Sequence, residues 1–190
     1  LHSFPTRRSS DLKLPDAIVF QTAAAMMLRG LTVQYLLRRV HRIMPGETIL
    51  FHAIAGGVGL IACQWAKALG ATVIGTVSTR EKAAIAHAHG CDHVIISKEE
   101  HIVDRVKDIT GGKGVPVVYD SIGKDTFSMS LDCLSPLHLP AHLSQHPVVV
   151  LRGIFLDVWP ELMRIAHDPL KLFVVVLKFR QQEIFDEMIL

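Results

Sequence analysis

The chain has 190 residues, 49% of them hydrophobic and 20% charged, which suits one domain, or one domain with an appendage. Disorder is excluded, because its marks are low hydrophobicity and high net charge. Lys and Arg total 20 against 18 Asp and Glu, for a net charge of +2, so no large positive field exists to draw nucleic acid.

Cys63, Cys91 and Cys133 are too few and too scattered for a disulfide framework or a zinc site, which points to a reducing, cytoplasmic setting. The most apolar stretch, 170–179, carries Lys171 and Lys178 and falls well short of the roughly 20 residues of a membrane span. Residues 1–12 have basic side chains with no apolar core behind them. They read as a non-native leader, a translated sequencing-adapter remnant, and the chain reads as a fragment.

From Pro15 onward, Ile18, Ala23, Met26, Met27, Leu31, Leu36 and Leu37 recur at helical spacing, predicting a helix interrupted near Gly30 and resumed through Arg39. Pro45-Gly46 breaks the chain ahead of a strand at 48–53. The glycine turn Gly56-Gly57-Val58-Gly59 follows, and then a helix over 60–69 closed by Gly70. A strand at 71–77, a helix at 80–89 stopped by Gly90 and a short strand at 93–96 come next. An amphipathic helix at 99–110, a β-branched strand at 115–119 and a helix at 125–134 complete the alternation. Short apolar strands alternating with helices of about ten residues predict an α/β fold, a Rossmann-type doubly wound parallel sheet over 13–134.

Past Leu134 this punctuation is lost. Residues 135–147 hold three prolines and three histidines, and 147–190 reads as a strand at 148–151 followed by helices. The 135–190 tail is therefore expected to be atypical, from a frameshift or a chimeric join, and the sheet incomplete on its C-terminal side. If 148–151 does not continue the sheet, residues 173–177 have nowhere to pack, and the open edge invites aggregation. His138, His142 and His146 lie four apart, but Pro136, Pro140 and Pro147 break any helix that would align them, so no metal site is expected.

The glycine turn carries the chemistry. It follows a strand and opens a helix, where a glycine backbone admits a pyrophosphate to the helix N-terminus. Gly56 suits that approach and Gly59 suits close helix–strand packing, while Ile54 stands where the first glycine is usual. The end of the second strand lacks the acid that would hold an NAD ribose. Ser78, Thr79, Arg80 and Lys82 instead offer hydroxyls and cations suited to a 2′-phosphate, so NADPH is favoured over NADH. The bland alternative leaves Arg80 and Lys82 as solvated helix residues. Asp120, at the sheet's C-terminal edge, is either a ligand-facing group or a cap, and Cys63 reads as a small buried hydrophobe.

The segments 29–37, 50–70, 117–123 and 130–134 resemble the zinc-free, ζ-crystallin-like quinone oxidoreductases of the medium-chain dehydrogenase/reductase superfamily, in their cofactor-binding half only. The resemblance implies hydride transfer from NADPH to a quinone or related conjugated carbonyl, and a homodimer in the full-length protein. It implies that Ala55, Gly56, Gly57, Val58 and Gly59 hold the pyrophosphate and that Lys82 holds the 2′-phosphate. Ser78 would lie beside the adenosine ribose, Thr32 near the nicotinamide, and Ser97 where relatives often carry Tyr or His near the cofactor phosphate. The catalytic domain that precedes this half in the family has no counterpart here. Catalytic residues are therefore not assigned, and the isolated chain is expected to bind the cofactor with little turnover. The alternatives are a non-catalytic nucleotide- or RNA-binding module, or an enoyl reductase module of a polyketide synthase.

Overall fold

The structure, a computed structural model, describes residues 14–135 and the backbone of 148–152 and 173–177. The leader and the histidines at 138, 142 and 146 lie outside the described residues. The elements run α1 (Phe20–Tyr35), a π-helical turn (Leu36–Val40), β1 (Thr48–Phe51), α2 (Gly57–Ala68), β2 (Thr72–Val77) and α3 (Arg80–Ala88). They continue with β3 (His93–Ile96), α4 (Ile102–Ile109), β4 (Val117–Asp120), α5 (Phe127–Asp132), β5 (Val148–Arg152) and β6 (Phe173–Leu177).

All the strands are parallel, in the order β3-β2-β1-β4-β5-β6. This is the order of a doubly wound dinucleotide fold, as predicted, with its reversal between β1 and β4. On the C-terminal side, where the sequence suggests an incomplete sheet, β5 takes the place beside β4 and β6 pairs with β5. Residues 173–177, expected to be helical, thus form a strand. Their valine run suits a sheet better than a helix, because β-branched side chains lose rotamer freedom against a helical turn.

Period-two alternation sorts the strand residues onto two apolar faces. Ile49, Phe51, Val73, Val77, Val117 and Tyr119 pack with α1, α2 and α3. Leu50, Ile74, Ile95 and Val118 face α4 and α5 through Ile102, Val103, Val106 and Phe127. The chain therefore crosses from one face to the other after β3, and that crossing leaves a crevice between the C-terminal ends of β1 and β4. Gly70 and Gly90, at φ 84° and 92°, close their helices in the left-handed conformation that glycine adopts freely.

Two expectations near the site are corrected. Helix α1 runs through Gly30 unbroken; packing of Val33, Leu36 and Leu37 outweighs the roughly 1 kcal/mol that a mid-helix glycine costs. The irregularity falls at the π-helical turn instead, where the His41 amide donates to the Leu36 carbonyl at 3.2 Å. Strand β1 also ends at Phe51, short of residue 53, because Ala53 adopts a left-handed φ of 53° that no strand can hold.

Candidate cofactor site

Ala53 starts the glycine turn. Its carbonyl accepts the Gly56 amide at 2.9 Å, and its own amide donates to the Thr76 hydroxyl at 3.3 Å. A non-glycine residue in this region costs about 1–3 kcal/mol, and such strain clusters at ligand sites. Helix α2 begins at Gly57, three residues earlier than predicted, so its free amides lie within the turn itself.

Each glycine of the turn meets a different neighbour. A Cβ on Gly56 would meet only the Ala53 carbonyl oxygen, at 3.1 Å, with open space otherwise. One on Gly57 would come 2.8 Å from Nε of Arg29, whose side chain lies across it. One on Gly59 would strike the Ile54 carbonyl group, reaching 2.6 Å from its carbon. Ile54, where a first glycine is usual, is fully buried, and Gly75 makes the room for it. A Cβ on Gly75 would sit 2.7 Å from Ile54 Cβ and 2.9 Å from Cys91 Sγ.

Two cavities flank the turn and share Ala53 and Gly56. The first, about 200 Å³, lies at the crevice between β1 and β4 and is lined by Gly57, Val58 and Gly59, by Leu36, Phe51 and Tyr119, and by Asp120 and Ser121. Phe51 and Tyr119, opposite each other in the sheet register, stack with centroids 5.3 Å apart. The Tyr119 hydroxyl donates to the Leu36 carbonyl at 3.3 Å, and burial holds the phenol well above its ordinary pKa, so this wall is uncharged.

The second cavity, about 280 Å³, is lined by Ala55, Thr76, Val77, Ser78, Lys82, Ser97 and Ile122. The Lys82 ammonium donates to the Ser78 hydroxyl at 3.3 Å, and the Ser97 hydroxyl donates to the Val77 carbonyl at 3.1 Å. No carboxylate lines it. Thr79 is not part of the lining; its hydroxyl caps α3 by accepting the Lys82 amide at 3.4 Å. Arg80 is not there either. Its guanidinium is held by both Glu99 oxygens at 2.9–3.2 Å on the exposed face of α3. Thr32 is buried in α1 with its hydroxyl donating to the Leu28 carbonyl at 2.8 Å, and neither cavity reaches it.

Asp120, left open by the sequence, is a buried cap that also borders the first cavity. Oδ1 accepts the amides of Ile122 and Gly123 at 2.9 Å and the Thr126 hydroxyl at 2.8 Å, while Oδ2 accepts Ser130 and Thr126 at 2.7 Å. Ser130 also meets His52 Nε2 at 3.1 Å, and His52 Nδ1 meets the Thr76 hydroxyl at 3.0 Å. Sequence reading passed over this histidine, although a polar residue directly after the apolar strand 48–51 was a signal.

Cys63 is fully buried in the core, as expected, and burial pushes the Cys133 thiol up to about 12. Among the described residues no three His, Cys, Asp or Glu side chains gather as a metal-holding group, and no helix is long and apolar enough to cross a membrane.

Burial lowers the His52 pKa from its ordinary 6.5, with the Asp120 charge opposing; Thr76 and Ser130 bring no charge. An unfolded chain thus takes up a proton, near pH 6.5 and below, that the folded one refuses. Stability is complete above that pH and is lost progressively as pH falls towards the lower folded value. Urea unfolding at pH 7.5 and 5.5 should show this loss, and a folded His52→Gln variant should lose less between the two.

Residues 57–137 match the family model described as zinc-binding dehydrogenase. The chain is 60% identical over 123 residues to the quinone oxidoreductase of Pseudomonas aeruginosa, covering 65% of this chain and 38% of that protein. It is 63% identical over 121 residues to quinone oxidoreductase 1 of Escherichia coli, covering 64% and 37%. The solved Escherichia coli quinone oxidoreductase complexed with NADPH superimposes with a TM-score of 0.72 at 44% identity, covering 93% of this chain and 54% of that one. Residues 57–137 are thus similar to the zinc-binding dehydrogenases, and the wider segment to the bacterial quinone oxidoreductases. The chain thus spans less than two-fifths of the length of the two curated quinone oxidoreductases.

Proposed function

We propose that this chain binds NADPH and is the cofactor-holding part of an oxidoreductase that passes hydride to a quinone or related conjugated carbonyl. The observation that carries the reading is the groove across the glycine turn. It joins the β1–β4 crevice to a pocket with Lys82 and Ser78 where an NAD site would carry an acid. The identity with the two bacterial quinone oxidoreductases favours this acceptor class over the enoyl reductase and nucleotide-module alternatives.

NADPH, when bound, supplies the hydride. The chain's part is to hold and orient it. Ala55 and the turn from Gly56 to Gly59 admit the pyrophosphate to the free amides of α2, and Lys82 with Ser78 pairs the 2′-phosphate. Ser97 borders the same phosphate pocket. Leu36, Phe51 and Tyr119 give the nicotinamide side an apolar wall that limits water and fixes the ring's approach. Thr79 acts on Lys82 through the α3 cap, and Thr32 through the packing of α1.

The reading is zinc-independent, since the cysteines serve the core, and it makes 13–134 the segment that carries the cofactor surface. It also places the full-length protein in the cytoplasm as a homodimer; the near-balanced charge argues against a nucleic-acid partner.

Calorimetric titration tests it. NADPH should bind more tightly than NADH, and Lys82→Ala should cost about 2 kcal/mol with NADPH and little with NADH, as for a charge-assisted hydrogen bond. Equal affinities for the two cofactors in the parent chain would remove the basis of the assignment.

A further inference from the structure

We propose that His52 is a positioning residue that ties the two walls of the cofactor groove together. It touches neither cavity and is fully buried. Its ring bridges β2, through the Thr76 hydroxyl at 3.0 Å, and α5, through the Ser130 hydroxyl at 3.1 Å. These partners stand 24 and 78 residues away in sequence, so the fold alone brings them together.

Donor accounting fixes the ring's state. The Thr76 hydroxyl accepts the Ala53 amide, and among its hydrogen bonds in the described residues His52 Nδ1 is the acceptor open to its proton. The Ser130 hydroxyl gives its proton to Asp120 Oδ2, so it accepts from His52 Nε2. One ring proton, on Nε2, satisfies every member. Among the described residues no buried side-chain nitrogen or oxygen lacks a partner.

The chain of bonds therefore runs Ala53, Thr76, His52, Ser130, Asp120, and on to the amides of Ile122 and Gly123. Its two ends are walls of the groove. Ala53, in its left-handed conformation, borders both cavities, and Ile122 borders the one that holds Lys82. A fully satisfied network in a low-dielectric interior is rigid, whereas apolar side chains would fill the same space without fixing the distance between walls. Holding that distance pre-organises the groove, so that binding does not have to order it.

The inference rests on the NADPH reading above, and the test separates the two. His52→Leu/Ser130→Ala removes the bridge, substitutes no cavity-lining residue, and leaves Asp120 bonded to Thr126. Calorimetry with NADPH on the folded double variant should show affinity roughly tenfold or more weaker, with His52→Gln recovering part of it through a retained amide donor. Nitrogen-15 NMR of the parent chain should show the neutral Nε2–H ring at pH 7.5 and a shift of its resonances when NADPH is added. A folded double variant that binds NADPH as tightly as the parent overturns the role. So does a cationic or Nδ1–H ring, and so do ring resonances that NADPH leaves unmoved, which decide the matter if the double variant does not fold. A parent chain that binds no NADPH instead removes the cofactor reading itself, and this role with it.

Discussion

Gly56→Val should leave the sheet folded and remove NADPH binding. The Gly56 backbone, at φ −77° and ψ 168°, is extended and open to any residue. Its added Cβ meets one atom, the Ala53 carbonyl oxygen, at 3.1 Å, which a shift of a few tenths of an ångström relieves. Losing glycine also stiffens the unfolded chain, an effect of about 0.4–1 kcal/mol that offsets part of the valine's poor fit at a helix start. Net stability should therefore change by no more than about 1–2 kcal/mol. The cofactor meets a different surface. Gly56 belongs to both cavities, so the branched side chain projects where they join, in the space that the pyrophosphate needs. Affinity should fall at least ~100-fold, about 2.7 kcal/mol. Circular dichroism and urea unfolding report the fold, and calorimetry reports the binding. Parent-like NADPH affinity in a folded variant would show the turn to be structural only.

What the sequence made legible was local. The spacing of apolar runs between Gly56 and Leu134 located the helices and strands to within a few residues, because each boundary is a glycine, a turn or a change of period. The missing acid after Val77 was legible too, since that strand end lines the Lys82 cavity, whose lining holds no carboxylate. Tertiary competition was not legible. Gly30 looks like a break until the buried residues on either side hold the helix together. The pairing of Arg80 with Glu99, 19 residues on, exists only once the fold brings the two together. The network through His52 joins four segments, and no local pattern marks it apart from a histidine where an apolar residue was due. Residues 148–152 show the same limit from the other side. The composition of 148–151 read as a strand, but only the pairing with β4 shows where that strand goes.

Gly59→Ala, three residues further along the turn, should have the opposite outcome from Gly56→Val. Its Cβ would be driven into the Ile54 carbonyl group, 2.6 Å from the carbon and 2.7 Å from Cα. The obstacle is backbone, so no rotamer change relieves it. Ile54 cannot retreat: its side chain is fully buried against Gly75, and its amide donates to the Thr76 carbonyl at 3.1 Å. Either α2 moves off β1, opening the core around Ala62, Cys63 and Ala66, or the turn distorts and Ala53 loses its place. Overpacking in cores costs about 1–3 kcal/mol when side chains can adjust, and here only main chain can, so a loss of at least ~3 kcal/mol is expected. That is a large part of the roughly 5–15 kcal/mol that holds a domain together. The urea midpoint should drop sharply, and NADPH should stabilise the variant only to the extent that it still folds. A Gly59→Ala variant with parent-like stability and weakened NADPH binding would reverse the assignment, making Gly59 the ligand-facing glycine and leaving the close contact of α2 with β1 to be held by other residues.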